Sequence, residues 1–138
     1  MADKPFRVLP RLDDENRFFW TSGEDGQLRF LRCNECGFYL HPPLPQCPRC
    51  ASRDIAPSVV SGHATVHSFT INHQPWDGSP EPWPIVLIEF PEQEGLRLTS
   101  NMVGCHPDDI KIGMDVTVVF EQYEDVFFPL FTPSHSAL

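Results

Sequence analysis

The chain has few cations where a polyanion would need them. Residues 1–54 hold eight Lys/Arg and eight Asp/Glu, but residues 55–138 hold only Arg97 and Lys111 against eleven Asp/Glu. The whole formal charge of -9 therefore falls on the C-terminal part. A protein that follows the phosphates of a nucleic-acid strand needs a cationic groove, so this distribution argues against that class of ligand. Long apolar runs are missing too. None approaches the roughly 20 residues of a membrane span, and nothing resembles a secretory signal. The expected setting is cytoplasmic, with no membrane contact. An all-helical fold is also excluded, because fifteen prolines accompany many Val, Ile, Phe and Thr residues.

Cysteine is sparse but concentrated. Four of the five cysteines form two Cys-x-x-Cys pairs, Cys33/Cys36 and Cys47/Cys50, ten residues apart. Each pair can turn both sulfurs toward one point, and two pairs complete a tetrahedron of thiolates. Zn²⁺ suits soft thiolates and imposes no competing geometry. Gly37 permits a positive φ after the first knuckle, and Pro48 stiffens the second. Two disulfides would need an oxidising compartment. An iron rubredoxin usually continues its second knuckle into Gly, whereas Ala51 follows Cys50 here. Four cysteines leave no coordination position for water, which makes His41 a surplus fifth candidate, read as a surface or packing residue. The expected centre is a closed, structural zinc ribbon.

Around that stretch the chain divides into three parts: an N-terminal arm and helix over 1–26, the ribbon over 27–56, and a barrel over 57–138. Asp13 or Asp14 can cap a helix running from about Glu15 to Ser22, with Gly23 or Gly26 ending it. Phe18, Phe19 and Trp20 are consecutive, and helical residues lie about 100° apart. They cannot share one face, so a partner interface is expected to take part of them. Gln27–Arg32 reads as a strand, Phe38, Tyr39 and Leu40 as cover for the metal, and Pro57 as a linker. From Val59 onward, strands alternate with turns. Ser61–His73 alternates apolar and polar residues but slips once between Val66 and Phe69, the mark of a β-bulge. The first barrel loop carries Trp76 and Trp83. Strands follow at 84–91, 96–103, 115–122 and 127–133, with a hairpin turn at 93–95 and one helical turn at 107–110. Five strands with a helical turn between the third and fourth match an OB-fold barrel.

Several residues invite catalytic readings that do not hold. Cys105 and His106 are adjacent, and sequence neighbours rarely point at each other, so Cys105 reads as a small buried residue. His63, His67 and His73 read as isolated polar residues rather than a second metal site. Asp108 and Asp109 fit the start of a helical turn. No catalytic residue is assigned.

The motif order carries a resemblance: Phe18-Phe19-Trp20, Gly26-Gln27-Leu28, Arg32-Cys33-x-x-Cys36-Gly37, Pro42-Pro43 and Cys47-Pro48-x-Cys50. Ser61-Gly62-x-x-Thr65-Val66-x-Ser68-Phe69-Thr70 and Ile112-Gly113-Met114-x-Val116 complete it. From about Asn16 to Pro133 the chain resembles the small zinc-ribbon/OB-fold proteins of acyl-CoA metabolism, long catalogued as a domain of unknown function. The resemblance implies an accessory subunit of a thiolase-superfamily enzyme, such as a thiolase, a hydroxymethylglutaryl-CoA synthase assembly or an aldolase that shortens steroid side chains. It implies a thiolase-fold partner with acyl-CoA at or near the interface. It carries no catalytic motif. On that reading Phe18, Phe19, Trp20, Trp76 and Trp83 belong to the partner interface or an acyl-CoA channel, and the CoA phosphates fall to Arg29, Arg32, Arg49 and Arg53. The alternative is an independent acyl-CoA-binding protein or enzyme.

Overall fold

The computed structural model describes residues 7–74 and 81–134. The expected helix is shorter than its sequence suggests: α1 spans only Arg17–Trp20, and a 3-10 turn follows at Ser22–Asp25. The Asp13 carboxylate accepts from the amides of Glu15 and Asn16, so it caps the turn leading into α1. Gly26, at φ 78°, ends the 3-10 turn. Gly23 does not stop the chain but lets it approach the barrel, since a Cβ there would lie 2.4 Å from the Phe120 ring.

The ribbon is a three-stranded antiparallel sheet of β1 (Arg29–Cys33), β2 (Tyr39–Leu40) and β3 (Ile55–Val59), in the order β2-β1-β3. Pro57 is not a linker. It lies within β3 opposite Leu31, on the edge strand, where its missing N–H breaks no ladder bond. The outer edge of β2 is closed by a side chain. The Tyr39 amide donates to Gln93 Oε1 at 2.8 Å, and Gln93 Nε2 donates back to the Tyr39 carbonyl at 3.1 Å.

The barrel comprises β4 (His63–Asn72), β5 (Trp83–Glu89), β6 (Arg97–Asn101), β7 (Asp115–Tyr123) and β8 (Val126–Pro133), in the order β6-β5-β4-β7-β8. A parallel bridge between Met102 and Phe131 closes it, together with the Val103 amide donating to the Phe131 carbonyl. The expected bulge is present: Val66 pairs with Ile88 and Ser68 with Leu87, which leaves His67 as the extra residue. A 3-10 turn at Pro107–Asp109 precedes β7.

Ribbon and barrel share one hydrophobic core. Phe19 of α1 and Leu28, Phe30 and Tyr39 of the ribbon join Val66, Val86, Ile88, Phe90, Val116 and Phe131 of the barrel in one cluster. Phe30 is central: it stacks on Phe19 at 6.2 Å and meets Phe90 edge-on at 5.0 Å. A fully buried aromatic of this kind contributes on the order of 3–5 kcal/mol, judged by truncation. Tyr39 therefore belongs to the shared core and not to the metal's shell. No helix in the described residues is long and apolar enough to cross a membrane.

Candidate metal centre and its surroundings

The two knuckles repeat one local geometry. The Gly37 amide donates to the Cys33 carbonyl at 2.9 Å, and the Ala51 amide to the Cys47 carbonyl at the same distance. Gly37 has φ 79° and Ala51 φ 66°, so Ala51 holds a left-handed backbone that costs an L-residue about 1–2 kcal/mol. The sulfurs receive amides as well: Cys36 N–H points to Cys33 Sγ at 3.5 Å and Arg49 N–H to Cys47 Sγ at 3.4 Å.

All four Sγ atoms lie within 4.8 Å of one another, with Cys33 to Cys50 at 3.5 Å and Cys36 to Cys47 at 3.6 Å. A zinc tetrathiolate with Zn–S bonds of about 2.3 Å has edges of about 3.8 Å, whereas a disulfide needs about 2.05 Å. The cysteines are free, and their spacing fits a metal. Cys33 and Cys47 are buried with Leu40, packed by Leu31, Phe38 and Ile55, while Cys36 and Cys50 face outward. The four thiolates would hold zinc in a closed shell, where it ties two turns together and offers no position for a reacting water.

The aromatic residues singled out in the sequence are less available than expected. Phe19 is buried and packs on Phe30 and His41, so it is core rather than surface. Phe18 and Trp20 are half-buried against the same core, and Trp20 meets Phe128 edge-on at 5.5 Å. Trp83 opens β5 instead of lying in a loop, with the Arg7 guanidinium 5.2 Å above its ring. Trp76 lies outside the described residues. Arg7 also stacks on Phe128 and bonds to Glu121 at 2.8 Å and Asn101 at 3.0 Å, so Trp20, Phe128, Arg7 and Trp83 form one continuous patch. Nothing in the N-terminal sequence distinguishes Arg7 from its neighbours.

The arginines separate into two kinds. Arg29 is held by both Asp25 carboxylate oxygens, at 3.0 and 2.6 Å. Arg32, Arg49 and Arg53 are exposed and form no ion pair among the described residues. Arg32 lies over Tyr39 and Arg49 over Phe38.

The residues weighed for catalysis have the following surroundings. Cys105 packs on the core, and burial, then Asp109, pushes its thiol up, the wrong direction for a nucleophile. His106 accepts from the Asp108 amide and caps the 3-10 turn. His63 meets Thr117, and His67 lies 3.8 Å from Glu89. Among the described residues, only the four ribbon cysteines form a metal-ligating cluster. His41 was undervalued in the sequence. It packs on Phe30 at 4.7 Å and on Phe19 at 5.1 Å, and burial pulls its pKa down to about 4. It lines a cavity of about 480 Å³ with Asn16, Phe19, Trp20, Pro42, Pro43, Arg97, Leu98 and Thr99.

Known proteins share this architecture. Family models for the ChsH2 rubredoxin-like zinc ribbon domain and the ChsH2 C-terminal OB-fold domain match residues 20–56 and 58–121. A DUF35 domain-containing scaffold protein of Methanocaldococcus jannaschii is 33% identical over 69% of this chain and 68% of its own. The chain belongs to the DUF35 family. Within it, the solved Ltp2-ChsH2(DUF35) aldolase contains a chain that superposes with a TM-score of 0.80, at 32% identity, over 91% of this chain and 98% of that one. A probable enoyl-CoA hydratase alpha subunit of Thermomonospora curvata is 34% identical over 95% of this chain, which spans only 41% of that longer relative. The DUF35 ribbon here keeps all four cysteines in metal-binding geometry.

Two outcomes are expected. Cys50→Ser or Cys36→Ser should reduce zinc from about one per chain to well below that, and the ribbon amides should lose hydrogen-exchange protection. Full zinc retention with an unchanged exchange pattern would refute the tetrathiolate. His41 titrates lower folded than unfolded, so the unfolded chain binds the extra proton between pH 6.5 and about 4. Stability should therefore fall across that window as pH drops, by on the order of 2 kcal/mol. Arg97, also a cation, is the only charged residue lining the same cavity. In urea titrations with zinc in excess, His41→Phe should flatten the slope between pH 7.5 and 5.5; an identical slope would show that other groups set it.

Proposed function

We propose that this chain is a noncatalytic, zinc-containing accessory subunit of a thiolase-superfamily enzyme acting on acyl-CoA. The observation that carries this reading is the near-complete overlap with the DUF35 chain of the Ltp2-ChsH2(DUF35) aldolase, 98% of whose length is matched at 32% identity. A chain that reproduces one component of a two-component aldolase supports the same division of labour here. The chemistry agrees. The metal shell is closed, Cys105 is held as a thiol, and His41, His63, His67 and His106 are engaged in packing, polar contacts or capping.

The role follows from rigidity. Ribbon and barrel share one core and present a fixed surface, which stabilises the partner and completes the wall of its substrate channel. Phe18 and Trp20, half-buried on α1, and the neighbouring Trp83 edge supply apolar contact area of the kind that dominates interfaces. An acidic barrel repels the CoA phosphates. Arg32, Arg49 and Arg53 on the ribbon, which form no ion pair among the described residues, are the groups suited to meet them, and Arg29 is already neutralised by Asp25.

Affinity capture of the tagged chain from its native cell tests this reading. A thiolase-fold protein, identified by its peptides, should co-elute in near-stoichiometric amount and survive gel filtration with the chain. Elution of a homogeneous chain bound to no thiolase-fold protein would contradict it.

A further inference from the structure

Four strands of the barrel converge on a single guanidinium. Arg7 Nε donates to Glu121 Oε1 of β7 at 2.8 Å, and Arg7 Nη1 donates to Asn101 Oδ1 of β6 at 3.0 Å. The guanidinium carbon lies 5.2 Å from the centre of the Trp83 ring on β5 and 5.3 Å from that of Phe128 on β8. A planar cation over aromatic rings, with its edge donating to two acceptors in fixed directions, is a guanidinium geometry. The rounder, more strongly hydrated ammonium of lysine does not match it.

The slot is built independently of its occupant. Asn101 Nδ2 donates to the Pro84 carbonyl at 2.7 Å, which leaves Oδ1 turned toward Arg7. Phe128 is met edge-on by Trp20 and by Tyr123, each at 5.5 Å, so its ring is fixed from two sides. Glu121 lies directly opposite Phe128 in the β7–β8 ladder. Its side chain is largely buried, and without a cation beside it would carry an uncompensated charge. The acidic barrel favours cations here further.

The occupant is tethered less firmly than the slot. Among the described residues, no backbone hydrogen bond joins 7–12 to any strand, and Val8 and Leu9 beside Arg7 are exposed. Withdrawal of Arg7 costs one side chain's contacts, while the strands that form the slot keep their own ladders.

We propose that the slot between Trp83, Phe128, Asn101 and Glu121 is a binding site for an arginine side chain. Arg7 fills it in the free chain as a releasable latch, and an arginine supplied from outside takes it once Arg7 withdraws. The proposal stands apart from the accessory-subunit reading, because it concerns the free chain and needs no partner.

The zinc-loaded full chain carrying Arg7→Ala tests it, with N-acetylargininamide as the probe and N-acetyllysinamide as its control of equal charge. Arg7 lies outside every helix and strand, so its loss should leave the zinc content and the ribbon's amide spectrum unchanged. Followed by NMR, the arginine probe should give saturable shifts at the Trp83 indole, the Phe128 ring and the Asn101 side-chain amide. It should bind about tenfold or more tightly than the lysine probe, the ratio expected for a charge-assisted hydrogen bond that only the planar fork can make. Adding Glu121→Gln to Arg7→Ala should weaken the arginine probe by about the same factor. The unaltered chain should show no saturation over the same range, because Arg7 holds the slot. Absence of saturable shifts in the Arg7→Ala chain would overturn the proposal. Equal affinity for the two probes, or equal affinity of the altered and unaltered chains for the arginine probe, would do the same.

Discussion

Four sulfur atoms within 4.8 Å of one another can tie the ribbon's two knuckles together through one metal ion, a tie that the small apolar cluster around them cannot replace. The ribbon's own apolar cluster consists of Cys33, Leu40 and Cys47 with Leu31, Phe38 and Ile55 around them. So small a core does not outweigh the entropy of ordering about thirty residues. Metal binding supplies the difference, and its consequences spread outward. The knuckle turn sets the Cys33 amide against the Phe38 carbonyl, which places β2, and β2 in turn meets the Gln93 amide of the barrel hairpin. Phe30 and Tyr39 are thereby delivered to the barrel core, so a local coordination event fixes the orientation of two folding units.

Much of this was legible in the sequence wherever the signal was local. The Cys-x-x-Cys spacing specified the centre. Gly37 and Gly95 marked turns at positive φ, and the slip after Val66 located the bulge at His67. Long-range packing was less legible. Three adjacent aromatics could not share a helical face, and that argument was sound, yet it could not say which ring would turn inward. The neighbouring Phe30 decides this for Phe19. Pro57 resembled punctuation because nothing local reveals that Leu31 lies opposite it on an edge strand. Arg7 gains its role from Trp83 and Glu121, far along the chain, and His41 from Phe19, Phe30 and β6 on both sides of it, contacts that no local pattern announces.

The same logic separates structure from function here. On the proposed accessory reading, a closed metal shell, a Cys105 thiol pushed up by burial and an acidic barrel leave the chemistry to the partner. This chain then contributes a surface with half-buried aromatics on one side and, on the ribbon, arginines that form no ion pair among the described residues. Such a surface is useful beside an active site that another protein supplies, where shape and charge matter and reactive groups do not.

That account can be tested by one comparison: turnover of an acyl-CoA thioester by the captured thiolase-fold partner alone, by this chain alone, and by the two together. The account predicts no turnover by the chain alone, and at least a tenfold gain in kcat/KM for the pair over the partner alone. Turnover by the isolated chain, or a partner equally active without it, would contradict the assignment of an accessory role.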